Sequence, residues 1–158
     1  MDGIVFSTSD AGSTTAQEAL ARYFAELSER FPEGFDGESA LAEALDAFNP
    51  PHGEFVLAFR NGEPVGCGAL QFFDGNTAEI KRMWVSPDAR GLGLGKRLLA
   101  HLEGRAREAG RRRVTLDTHQ VLTEAVSLYQ GLGYTPIPRY NSNPHAHHWF
   151  AKTLTDPD

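Results

Sequence analysis

Residues 85–96, Val85-Ser86-Pro87-Asp88-Ala89-Arg90-Gly91-Leu92-Gly93-Leu94-Gly95-Lys96, bring together what a chain needs to hold an anion. Three glycines at alternate positions strip the side chains from a turn and leave its amides open. An apolar strand-like segment leads into the turn, and a helix-like segment leaves it. Amides at a helix start, backed by the helix dipole and flanked by Arg90 and Lys96, suit a phosphate group.

Spacing then decides which phosphate loop this is. A Walker A loop needs Gly, four residues, then Gly-Lys-Ser/Thr, but counting back from Gly95-Lys96 lands on Arg90, and Arg97 follows the lysine. A dinucleotide fingerprint needs a third glycine where Lys96 or Leu98 stands. Both nucleotide readings fail. Three other groups of residues could do chemistry. Cys67, the single cysteine, reads as a small buried strand residue rather than a nucleophile. His145 and His147 could share a strand face, as two metal ligands would, but no third well-spaced ligand accompanies them, so no metal is expected. They, with His148, read as structural or pocket-lining residues, and His147 or His148 could also move a proton near neutral pH. Arg111-Arg112-Arg113 reads as a solvated cluster at a helix end, with approach to a ligand phosphate as the alternative.

The pattern that fits is Arg/Gln-x-x-Gly-x-Gly/Ala after a strand ending Val-x-Pro, here Arg90 to Gly95 after Val85-Ser86-Pro87. With Val114-Thr115-Leu116-Asp117-Thr118 and Leu128-Tyr129-Gln130-Gly131-Leu132-Gly133-Tyr134 following in order, the chain resembles the GNAT superfamily of acetyl-CoA-dependent N-acetyltransferases over roughly residues 54 to 154. The resemblance implies an enzyme that moves acetyl from acetyl-CoA to a primary amine of a small molecule, by direct attack in a ternary complex. It implies a coenzyme site at Met83, Trp84, Val85, Arg90, Gly91, Leu92, Gly93, Leu94, Gly95 and Lys96. A backbone N–H near Met83–Val85 would polarise the acetyl carbonyl, and the same backbone would bind the pantetheine arm in ladder fashion. Glu79 stands where the family carries a general base, acting directly or through water, and a salt bridge with Lys81 or Arg82 is the competing account. Tyr129 stands where a phenol protonates the leaving thiolate. Relatives often carry Asn shortly before the tyrosine helix. Here 117–123 has none, and the contact falls to His119 or Gln120 or is missing. A non-catalytic acetyl-CoA-binding regulatory module is the alternative function.

The elements that must position these residues follow from periodicity. Ile4 to Ser7 reads as a strand. Thr15-Ala16-Gln17-Glu18 reads as a capping box ahead of Leu20, Tyr23, Phe24, Leu27 and Phe31 at helical spacing. A second helix is expected over Glu38–Phe48, ending before Asn49-Pro50-Pro51. Asn61-Gly62 predicts a two-residue hairpin between strands Glu54–Phe59 and Pro64–Phe73. A strand over Ala78–Val85 would place Glu79, Lys81, Met83 and Val85 on one face, and Ile80, Arg82 and Trp84 on the other. A helix from Gly93 to Ala109, a strand at Val114–Asp117, a helix over Glu124–Leu132 and strands at Tyr134–Ile137 and His147–Leu154 complete the order. The fold class is α/β, a GNAT-like three-layer fold with a central mixed, mostly antiparallel sheet flanked by helices. Residues 1–158 are expected to form one domain.

Composition sets the remaining bounds. A net charge of −6 argues against a nucleic-acid partner. Met1-Asp2-Gly3 lacks basic charge and no long apolar run follows, so neither a secretory leader nor a membrane span is expected. A lone cysteine suits a cytoplasmic protein. A sheet edge near the final strands could pair two protomers as a homodimer.

Overall fold

A computed structural model describes residues 3–154, so Met1 and Asp2 of the leader argument lie outside it. Seven strands form one sheet in the order β1-β2-β3-β4-β5-β7-β6. Every neighbouring pair is antiparallel except β4 (Thr77–Val85) with β5 (Arg113–Thr118). The hairpin between β2 (Gly53–Arg60) and β3 (Glu63–Phe72) turns on Asn61 at φ 52° and Gly62 at φ 84°, the positive values a tight two-residue turn requires.

Helices cover both faces. On one, α1 (Thr14–Arg30) and α2 (Gly37–Ala47) bury Leu20, Phe24, Leu27 and Phe48 against Phe55, Leu57, Cys67 and Trp84. On the other, α3 (Leu94–Glu108) and α4 (Thr123–Gly131) pack Leu98, Leu99, Leu102 and Tyr129 against Val56, Leu70, Ile80 and Leu116. The strand β1 (Ile4–Ser9) flanks β2, while β7 (His148–Thr153) and the short β6 (Thr135–Pro136) close the far side. The cap of α1 departs from expectation: Ser13, not Thr15, accepts from the Ala16 amide at 3.2 Å. Asp10 to Ser13 is already a turn, so the helix begins one residue before the predicted cap.

Two irregularities of β4 shape everything functional. The first is a bulge. Cys67 pairs with Trp84 and Ala69 with Lys81, so Arg82 and Met83 together oppose Gly68. Arg82 takes φ 56°, a region that side-chain-bearing residues rarely occupy. The extra residue resets the alternation. Lys81, Arg82 and Trp84 all lie on the α1/α2 face, whereas Met83 and Val85 join Ile80 on the α3/α4 face. The two-face assignment expected from a regular strand therefore holds only as far as Lys81. Gly68 also permits close packing, because a Cβ there would stand 2.6 Å from Leu102 Cδ1.

The second irregularity is a splay. The β4–β5 pairing runs from Thr77↔Arg113 to Glu79↔Thr115 and ends. Beyond it the sheet opens, leaving the β4 backbone from Ile80 onward without a strand neighbour on that side among the described residues.

Candidate active site

The Gly-rich turn sits where β4 runs into α3. A single turn at Pro87–Ala89 follows the strand, and Gly93, at φ 76°, caps the helix without any side chain over its amides. Gly91 is also left-handed, at φ 81°, and neither glycine has another group within 4 Å of where a Cβ would lie. A cavity of about 360 Å³ opens here, walled by Met83, Trp84 and Val85 on one side and by Arg90, Gly91, Gly93, Leu94, Gly95 and Lys96 on the other. Nine of the ten residues expected at the coenzyme thus meet in one place. Leu92 does not: its side chain is 44% exposed and forms no part of that wall.

Arg90 is engaged differently from expectation. Its Nη2 donates to both oxygens of Glu26, at 2.6 and 2.8 Å, and its Nε donates to the Val85 carbonyl at 3.0 Å. Glu26 also accepts from Trp84 Nε1 and from Arg30, which in turn pairs with Glu124 on α4. An ionic chain therefore ties the loop, α1 and α4 across the mouth of the cavity. Burial alone would raise the Glu26 carboxyl, but the bonds from Arg90, Trp84 and Arg30 outweigh it and hold the group below its ordinary value. No local motif singles out Glu26; only its i,i+4 spacing to Arg30 could have drawn notice.

A second cavity of about 510 Å³ lies on the α1/α2 face, in the gap left by the splay. Its walls come from α1 and α2, from Ile80–Met83 of β4, from Asp117–His119 and from the loop Asn141–His145. The two cavities share Tyr23, Leu27, Met83, Leu122, Ala125 and Tyr129. Tyr129 belongs to α4, behind the sheet, and reaches the front only because β4 and β5 have parted. Its side chain is 7% exposed, with the hydroxyl 4.0 Å from Met83 Sδ. Burial drives its pKa well above the ordinary phenol value, so the proton stays on oxygen across the neutral range. Tyr23 is similarly pushed up to about 12 by burial. The periodicity of α1 marks Tyr23 as core, which it is, but its position at the junction emerges only in three dimensions.

Glu79 stands at the closed end of the splay, 2% exposed and on the wall of neither cavity. Tyr140 donates its hydroxyl to Glu79 Oε2 at 2.6 Å, and Lys81 Nζ lies 3.7 Å from Oε1. Burial raises the Glu79 carboxyl, against the partly compensating charge of Lys81. The ion pair with Lys81 is thus present, and direct contact between Glu79 and a ligand in the larger cavity is not available.

The histidines do not form the arrangement that two ligands on one strand would need, because His145 precedes β7 in a turn. His145 Nδ1 and His119 Nε2 both meet Glu33, at 2.9 and 3.1 Å. The bond with His145, first of all, holds Glu33 down to about 2. His119 stacks on Phe31 and accepts from the Val121 amide at its other nitrogen, so neither of its ring atoms is left for a coenzyme contact. Gln120 lines neither cavity. Asn141 and Asn143, from the late loop, instead donate to the two oxygens of Asp117 at 2.6 and 3.2 Å. Cys67 is fully buried, donates to the Arg82 carbonyl at 3.3 Å and is pushed up to about 12 by burial, which makes it inert. Arg113 pairs with Thr77 at the opposite end of β4 from the Gly-rich turn, and Arg111 is bonded to the Asp74 and Ala109 carbonyls, so this run does not approach the phosphate cavity.

Residues 20–134 match the acetyltransferase (GNAT) family. The chain belongs to that family. An "IAA acetyltransferase" of Azospirillum brasilense is 33% identical over 138 residues, covering 85% of this chain and 90% of that protein. An uncharacterized N-acetyltransferase of Schizosaccharomyces pombe is 34% identical over 109 residues, 68% of this chain and 67% of the relative. Among solved structures, a GNAT acetyltransferase from Staphylococcus aureus superposes with a TM-score of 0.83 at 20% identity, over 96% of this chain and 99% of that one. A GNAT acetyltransferase from Elizabethkingia anophelis, solved with acetyl-CoA bound, superposes with a TM-score of 0.71 at 21% identity, over 98% of this chain and all of the other. These likenesses show the GNAT fold, and the family makes the chain an acetyltransferase. The match begins inside α1, earlier than the motif resemblance, and so includes the helices that wall the larger cavity. Among the described residues, no helix of this GNAT protein is long and apolar enough to cross a membrane.

Proposed function

We propose that the protein transfers acetyl from acetyl-CoA to a primary amine of a small molecule by direct attack in a ternary complex. The observation that carries this reading is the meeting of two cavities at the protonated, buried phenol of Tyr129, with Tyr23 beside it on both walls. The smaller cavity fits a diphosphate-bearing coenzyme: Gly91 and Gly93 present unobstructed amides, and Lys96 adds charge. The larger one takes the acceptor. Acetyl-CoA supplies an activated thioester. The unpaired β4 backbone holds the pantetheine arm, and an amide of Met83–Val85 polarises the acetyl carbonyl. The acceptor proton passes through Tyr140 or water to Glu79 as the C–N bond forms. Tyr129 donates its proton to sulfur as the C–S bond breaks. The lone cysteine, buried and on neither wall, offers no route through an acetyl-enzyme.

Initial rates with both substrates varied test this. Intersecting reciprocal plots are expected. Parallel plots with a trappable acetyl-protein would overturn direct attack, and acetyl-CoA binding without turnover of any amine would leave only a regulatory module.

Replacement of Glu79 by Gln separates its two roles by pH. A carboxyl raised on folding contributes stability at low pH that is lost as pH rises through its folded value. Glu79→Gln is therefore expected to melt higher than wild type at pH 8, with the difference shrinking toward pH 4. As the relay's proton acceptor, its loss should lower kcat/KM about 100-fold and remove the acid limb of the pH–rate profile. An unchanged profile would return Glu79 to the role of Lys81's partner.

Glu26 sets a further expectation. Its carboxylate occupies Arg90 and faces the same cavity as the glycine amides. Glu26→Gln should free Arg90 and remove a repulsive charge, tightening coenzyme A binding about threefold to tenfold by calorimetry at low salt.

A further inference from the structure

The acceptor cavity contains one cation whose bonding is incomplete. The β4 bulge aims Arg82 into this cavity, with its guanidinium 5.3 Å from the Phe24 ring and 5.9 Å from the Phe48 ring. Its Nε is buried and finds no hydrogen-bond partner among the described residues. Its ionic contact is Glu43, 3.8 Å away on a side chain that is 63% exposed. Buried polar atoms in native proteins nearly always have partners, and an exception at a cavity wall points to a ligand. The bulge that holds Arg82 at φ 56° is itself a feature over-represented next to active sites, where it re-aims a side chain.

The acids of the same cavity are, by contrast, mostly committed elsewhere; the exception is Glu43, a largely exposed side chain that meets only Arg82, at 3.8 Å. Asp36 caps α2 through the Ser39 amide and hydroxyl. Asp117 accepts from Asn141 and Asn143. Glu33, beside the cavity mouth, is bound by His119 and His145. Lys81, adjacent to Arg82 on the same face, has only a long contact with the buried Glu79. The β4 wall of the acceptor cavity is therefore positive, with the exposed Glu43 opposite it, although the chain as a whole carries −6.

Resting on the acetyltransferase reading above, we infer that the acceptor is an amine that also carries a carboxylate, an amino-acid-class substrate, and that Arg82 binds this carboxylate through its guanidinium. A planar fork of donors matches a carboxylate in two-point geometry, which an ammonium or a neutral amide does not. The aromatic rings beside it exclude water and strengthen the pair. Arg82 is a specificity-determining residue here. It binds the end of the acceptor remote from the amine, which must lie at the Tyr129 junction.

The test compares the common amino acids with their amides and with the amines left after removal of the carboxylate, using the full chain and acetyl-CoA. Wild type is expected to prefer at least one free amino acid over its amide and its decarboxylated amine by about 10- to 100-fold in kcat/KM, most of it in KM. Arg82→Gln should erase that preference and Arg82→Lys should restore part of it. Arg82→Gly, which suits the left-handed backbone, should erase it as well while folding without strain. Acetyl-CoA affinity within about twofold of wild type shows that the fold is retained. Equal use of acid, amide and amine by wild type, or a preference that survives in Arg82→Gly, would overturn the carboxylate assignment and leave the transferase intact. If no amine is turned over, the transferase reading fails. Calorimetric binding of the same amino acids and amides to the coenzyme-A-loaded protein then decides the carboxylate inference on its own.

Discussion

Tyr129→Phe is expected to lower kcat for acetyl transfer about 100- to 1000-fold with little change in the dissociation constant of acetyl-CoA. The substitution removes one oxygen and keeps the ring, which packs against Tyr134 at 5.9 Å and Phe150 at 6.4 Å between centroids. The hydroxyl has only a weak contact with Met83 Sδ, so its loss breaks no strong bond and leaves no buried partner stranded. Stability should stay within about 1 kcal/mol of wild type. What disappears is the proton that neutralises the departing thiolate, and a positioned general acid is worth about 10²- to 10⁴-fold. Because burial raises the pKa of this phenol, the proton stays on oxygen across the neutral range. Saturating steady-state rates with a thiol-detecting dye, alongside calorimetry with acetyl-CoA, give both numbers. A variant with wild-type kcat would remove Tyr129 from the chemistry and leave it as a packing residue.

The second large effect is expected at the Gly-rich turn. Gly93→Val should weaken acetyl-CoA binding at least about 50-fold, because a β-branched residue at φ 76° costs of order 1–3 kcal/mol and must relax by turning the amides away from the ligand. The strain falls on the cap of α3, so the helix start shifts together with the Leu94 and Gly95 amides. Gly104, in the same helix, supplies the control. It has ordinary helical backbone with open space at its Cβ, so Gly104→Ala should raise stability by about 1 kcal/mol without altering coenzyme affinity. Equilibrium dialysis with acetyl-CoA and thermal melts of both variants separate the two effects. Unaltered affinity in Gly93→Val would place the pyrophosphate elsewhere.

Both expectations rest on stretches that are legible in the sequence. The Gly-rich turn, the Asn61-Gly62 hairpin and the Leu-Tyr-x-x-x-Gly-Tyr helix are local: their conformation is set within a few residues, so turn chemistry and resemblance to the family's motifs pick them out. The alternation of β4 is local only in principle. It fails at Arg82 because the bulge depends on Gly68 across the strand pair, whose missing side chain admits Leu102 of α3. Reading β4 alone gives a regular strand, and with it the wrong face for Met83 and Val85.

The sequence by itself determined the order of elements and the mixed α/β architecture, and its resemblance to the family singled out the Gly-rich turn and Tyr129 as candidates for the site. Each follows from periodicity, turn chemistry or motif spacing, which act over short stretches of chain. Only the tertiary structure decided that Arg90 is held by Glu26, 64 residues away, and that Glu33 gathers His119 and His145 from 86 and 112 residues away. It also decided that Glu79 pairs with Lys81 rather than standing on a cavity wall, and that Arg82 lines the larger cavity with an unmet donor. The reason is the same in each case. The splay of β4 from β5 opens the sheet at one point, and side chains from α1, α4 and the late loop converge there although nothing in their own neighbourhoods directs them to it.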